Sequence, residues 1–62
     1  MKRLRQTRLK ADITQLKLMK ETGIYYSTIS RIEKGWLKPS EEQMKKLAMA
    51  LNVNKGWLFP NE

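Results

Sequence analysis

Gly23, Gly35, Pro39, Gly56 and Pro60 cut this chain of 62 residues into pieces too short for anything but small helices and turns. Nothing between them alternates apolar and polar side chains for long enough to make a strand. The pieces carry helical spacing instead. Met44, Leu47, Ala48 and Leu51 follow the i, i+3, i+4, i+7 pattern of one apolar face. Ser40 and Gln43 can form a capping box just after Pro39, and Asn52 suits the left-handed position past a helix end. A helix is therefore expected over 40–51.

Upstream, Tyr25, Ile29 and Ile32 share one face, read as the packing face, and Ser27, Ser30, Arg31 and Lys34 share a polar, basic one. That predicts a helix from about 25 to 34, which Gly35 can end with positive φ. Residues 14–21 read as another helix, with Thr14 as N-cap and Leu18 and Met19 facing inward. Only Thr22, Gly23 and Ile24 separate the two, which leaves room for nothing but a tight corner. Two short helices joined by a three-residue turn with a central Gly make a helix-turn-helix unit, here about 14–34. A first helix over roughly 2–10 points Leu4 inward and Lys2, Arg3, Arg5 and Lys10 mostly outward. A short fifth helix or turn at about 54–59 carries Trp57, Leu58 and Phe59. The expectation is an all-α, compact bundle of four to five short helices, one domain across 1–62.

Charge is distributed unevenly. Lys and Arg number 13 against 6 Asp and Glu, a net charge of +7. All of the excess lies in residues 1–38, because residues 39–62 balance. A one-sided positive field attracts polyanions, chiefly nucleic acid or an anionic membrane; solubility alone is the plainer reading. The chain has no Cys and no His. Disulfides and thiolate metal sites are thereby excluded, and no ready general base is present near neutral pH. The acids form no spaced pair, and Ser27 and Ser30 have no base beside them, so an enzyme is not expected, nor a cofactor, metal or small-molecule ligand. Met1 to Arg5 is basic but leads into no apolar stretch, and no run approaches the roughly 20 apolar residues of a membrane span. A cytoplasmic protein is the default. So short a chain buries only about 60% of its unfolded surface, which makes dimerisation attractive.

The run Thr14-Gln15, Leu18-Met19, Gly23-Ile24 and Ser27-Thr28-Ile29-Ser30-Arg31-Ile32-Glu33-Lys34-Gly35 resembles the lambda-repressor/Cro-like helix-turn-helix family. The likeness continues through Pro39-Ser40, Leu47-Ala48, Ala50-Leu51 and Trp57-Leu58, and covers about residues 4–59. It implies a bundle whose third helix enters the DNA major groove, with dimers on two half-sites one turn apart. By motif position, Tyr26, Ser27, Ser30 and Arg31 would read bases. Gln15 would anchor the second helix on a phosphate and could brace the helix 3 side chain beside it; Thr28, Lys34, Lys38 and Lys17 would contact the DNA backbone. The likeness also implies an ion pair between Arg8 and Glu33. Four positions depart from the pattern: Met19 stands where a small residue is usual, Tyr25 where Ser often caps, and Thr22 and Glu41 where apolar residues are common.

Arg31 can grip O6 and N7 of one guanine with its planar fork, or it can bind phosphate. Tyr26 can pack its ring on a thymine methyl, or it can simply cover a helix end. Trp36 or Leu37 is expected to lid the core. Trp57, Leu58 and Phe59 are the expected dimer patch, although Trp57 and Leu58 could equally finish the monomer core. The reading is a sequence-specific DNA-binding regulator, a repressor working as a homodimer in a bacterial, phage or mobile-element setting. The rival is an adaptor such as an antitoxin, which would need Trp57 and Phe59 exposed for a protein partner. A basic amphipathic peptide on a membrane fits less well, because such peptides rarely carry turn glycines.

Overall fold

A computed structural model describes residues 2–60, the side chain of Lys2 excepted, so the outward placement expected for Lys2 lies outside the described residues. Five helices follow one another: α1 (Lys2–Lys10), α2 (Gln15–Thr22), α3 (Tyr26–Glu33), α4 (Glu41–Leu51) and α5 (Lys55–Leu58). The protein is all-α, and no strand occurs among the described residues. Helix α2 packs on both α3 and α4, α1 rests on α3, and α5 closes on α4.

Local chemistry sets each boundary. Thr14 Oγ1 accepts from the Lys17 amide and starts α2. Ser40 and Gln43 form the full reciprocal capping box that starts α4. Asn54 Oδ1 accepts from the amides of Gly56 and Trp57 and starts α5. Three helices then stop in the same way. At the ends of α1, α3 and α4 a residue with positive φ (Asp12 at 60°, Gly35 at 79°, Asn52 at 58°) turns the chain back. In each, the amide one residue further on reaches the carbonyl five back: Ile13 to Arg8, Trp36 to Arg31 and Val53 to Ala48. This is the paired-bond stop that satisfies the orphan carbonyls of a helix end. Gly23, with φ 78°, ends α2 through a single bond to the Met19 carbonyl.

Two of those three stops use Asp or Asn, which enter the left-handed region more readily than other side chains but at some cost that Gly does not carry. Asp12→Gly and Asn52→Gly should therefore each raise stability, by up to about 1 kcal/mol after the entropy cost of Gly in the unfolded chain. The check is the melting temperature, which should rise a few degrees in each variant; a fall would mean that the side chain makes a compensating bond.

The core is aliphatic. Leu4, Leu18, Ile24, Ile29, Ile32, Met44, Ala48, Leu47, Leu51 and Leu58 are buried, with Phe59 as the one aromatic among them. Met19 is half-buried against this cluster, so a flexible side chain is accommodated where a small one is usual. Thr22 is buried in an apolar position because its own turn satisfies it: Oγ1 donates to the Leu18 carbonyl and accepts from the Ile24 amide. Glu41 is exposed and pairs with Lys55, which ties the start of α4 to α5 and holds the Glu41 carboxyl below its usual range.

Three expectations are corrected here. Tyr25 is 62% exposed rather than packed. It is the N-cap of α3, with non-helical backbone and no capping side-chain bond, so it does not follow the helical period of Ile29 and Ile32. Neither Trp36, 73% exposed, nor Leu37, 41% exposed, lids the core; the turn at Gly35 carries both outward, and Pro39 is the buried residue of that loop. The tail is not a three-residue surface patch either. Leu58 and Phe59 are spent on the core of the single chain, and only Trp57 stands half-exposed. Arg3 stacks over its ring and donates to its carbonyl.

Candidate nucleic-acid interface

Helix α3 divides cleanly. Ile29 and Ile32 are fully buried, which fixes the helix's rotation about its own axis. The opposite side then carries two i, i+4 rows: Tyr26, Ser30 and Lys34 in one, Ser27 and Arg31 in the other. Tyr26, Arg31 and Lys34 are exposed, and the two serines are partly so. This stripe gathers every residue expected to read bases. Thr28 lies off it, in the row of buried Ile32, and is itself partly buried.

Beneath the stripe a buried ion pair ties α3 to α1. Arg8 Nε donates to Glu33 Oε2 at 2.6 Å and Arg8 Nη2 to Oε1 at 3.2 Å. Arg8 Nη1 donates to the Ile13 carbonyl at 2.9 Å, so all three guanidinium nitrogens are engaged. Gln15 Nε2 also donates to Glu33 Oε1, at 3.1 Å, which brings the start of α2 into the network. Two-pronged geometry of this kind suits the planar guanidinium. Both residues are under a tenth exposed, and among the described residues no buried side-chain polar atom lacks a partner.

Arg8, Gln15, Ser30, Glu33 and Lys34 surround one surface recess, together with Arg5. Arg5 is the residue sequence reasoning passed over as one outward cation among many. The signal was there: it sits three residues before Arg8, on the same face of α1. The recess therefore presents Arg5 and Lys34 beside the polar stripe, above an acid already neutralised by Arg8. Lys34 also lies 4.7 Å over the ring of Trp36, which extends the exposed surface past the end of α3. Lys17 is exposed on α2 and Lys38 in the α3–α4 loop; neither lines the recess.

A short helix held by its apolar face, with a polar and cationic stripe outward and a tight turn to a supporting helix, defines a helix-turn-helix domain. Over residues 4–58 the chain matches the helix-turn-helix family model, and it belongs to that family, the lambda-repressor-like domains. No curated protein matches it. Members of the family are DNA-binding transcription regulators, and this chain is in that general sense a regulator that binds double-stranded DNA. No helix among the described residues is long and apolar enough to cross a membrane.

Proposed function

We propose that this chain represses transcription as a homodimer on a palindromic operator, with α3 lying in the major groove of each half-site. The division of α3 carries the reading: Ile29 and Ile32 hold it from behind and leave Tyr26, Ser27, Ser30 and Arg31 to meet base edges. A helix with its side chains is about 10–12 Å across and fits a groove about 12 Å wide. Gln15, Lys17, Thr28, Lys34 and Lys38 hold phosphates. Gln15 spends one N–H on Glu33 and keeps the other for a phosphate oxygen.

Size supports two copies. The longest dimension of the protein is 25 Å, whereas half-sites facing the same way lie about 34 Å apart. One copy can reach one half-site only. With Leu58 and Phe59 withdrawn into the core, Trp57 is what remains of the expected contact surface. The same burial weakens the adaptor reading, which needed Phe59 exposed.

The test is selection from a random duplex library, followed by anisotropy titrations of the enriched DNA and a scrambled control at two salt concentrations. A palindrome with half-sites one turn apart, bound at least about 10³-fold more tightly than the control, is the expected result. Equilibrium sedimentation should find two copies on it. Equal binding to both DNAs, lost together as salt rises, would reduce the surface to a non-specific polyanion patch. A single copy on the selected site would remove the homodimer.

A further inference from the structure

Of the five aromatic residues in the chain only Phe59 is buried. Two of the others, Tyr25 at 62% and Tyr26 at 45% exposure, stand side by side where α3 begins. Their ring centroids are 5.1 Å apart with planes inclined at 30°. That spacing lies within the range in which aromatic pairs attract one another. The backbone beneath is fixed, because the Tyr25 carbonyl accepts the Ile29 amide. Tyr25 provides no cap to α3, although Ser, Thr or Asp there would add to stability. The fold thus draws neither core packing nor capping from this residue.

We infer that Tyr25 and Tyr26 form one apolar reading element whose ligand is the C5 methyl of thymine in the major groove. The inference rests on the DNA-reading role proposed above. Tyr26 heads the row that runs through Ser30 to Lys34, so it faces the groove together with the polar readers. Ring carbons neither donate nor accept hydrogen bonds. Among the groups that base pairs present in the major groove, the thymine methyl is the only alkyl one. Tyr25 backs the ring of Tyr26 and limits its rotation, so less freedom is lost when the methyl is covered. The element thereby adds sequence information that Ser27 and Ser30 cannot supply, because a hydroxyl serves as donor or acceptor alike.

The test uses the duplex selected from the random library, with each thymine of one half-site replaced in turn by deoxyuridine. This removes one methyl and keeps every hydrogen bond. At one or two positions the wild-type protein should lose about fourfold in affinity, the worth of one buried methyl. Tyr26→Ala should bind the thymine and deoxyuridine duplexes equally, and Tyr26→Phe should retain the difference. Tyr25→Ser should reduce the difference while raising the melting temperature through the restored cap, which separates reading from folding. Deoxyuridine tolerated at every position overturns the inference, and so does a loss that persists unchanged in Tyr26→Ala and Tyr25→Ser. If a site is selected, and Arg31→Ala relaxes one of its bases while no thymine matters, this inference fails alone. If no site is selected, the DNA-reading proposal fails with it.

Discussion

Arg8→Met should lower stability by about 3–5 kcal/mol, the usual cost of removing one member of a buried ion pair. The carboxylate of Glu33, 8% exposed, then stays inside the fold without the guanidinium that bonds both of its oxygens. Domains of this size have little to spare, since whole-protein stabilities run to about 5–15 kcal/mol. The variant should be largely unfolded at moderate urea, or at room temperature without it. Removing both charges is a different matter. Arg8→Met combined with Glu33→Leu should recover most of the loss, because apolar replacements of a buried pair are often neutral or better. Gln15 would lose its acceptor but is only half-buried and can turn to water. Urea unfolding followed by circular dichroism, on the wild type, both single variants and the double, closes the cycle. A coupling near zero would mean that the pair is solvated in solution and that α3 is held on α1 by apolar contacts alone.

Arg31→Ala should leave the fold intact, because the side chain is exposed. Its effect should fall on recognition. One guanidinium gripping a guanine is worth about 1–3 kcal/mol per half-site, and a palindrome doubles it. The selected duplex should weaken by tenfold or more, and a second selection with the variant should find one base position per half-site relaxed. Lys34→Ala supplies the contrast. A lysine on phosphate should weaken all sequences alike and flatten the salt dependence. If Arg31→Ala behaves as Lys34→Ala does, Arg31 is a backbone contact and the reading of bases falls to the tyrosines and serines.

Much of the fold was legible because its boundaries are local. Ser40 with Gln43, Thr14, Asn52 and the glycines at 23 and 35 each act through bonds to their own neighbours, so their sequence spacing is their structural cause. The end of α1 and the start of α3 were harder. Asp12 takes the same left-handed turn as Gly35 and Asn52, but an aspartate names many other conformations as readily. Tyr25 is in step with Ile29 and Ile32 in the sequence, yet a residue one step outside a helix no longer obeys its rotation. Hydrophobicity misled in two places. Trp36 and Leu37 are large and apolar but sit past a turn that carries them outward, whereas Leu58 and Phe59 fill a core that lacks other aromatics.

The polar stripe was legible in its residue types and register, since Ser27, Ser30, Arg31 and Lys34 follow directly from the buried face of α3, whereas Tyr26 joined it only through the family resemblance. Its support was not. Arg8 and Glu33 are 25 residues apart, and no periodicity links them; only the family resemblance pointed to the pair. Arg5 became visible once the recess brought α1, α2 and α3 to one place.

The two tryptophans occupy opposite circumstances, and that gives the molecule a pair of separate optical reporters. Trp57 is clamped beneath Arg3, where α1 meets α5, so its emission should follow the opening of the bundle. Trp36 projects beyond α3 next to Lys34 and is almost untouched by the core, so its emission should follow what approaches that end of the helix. With Trp57→Phe and Trp36→Phe in hand, unfolding and ligand approach can be timed on the same protein without any attached dye. Iodide, drawn to the positive surface, should quench Trp36 first.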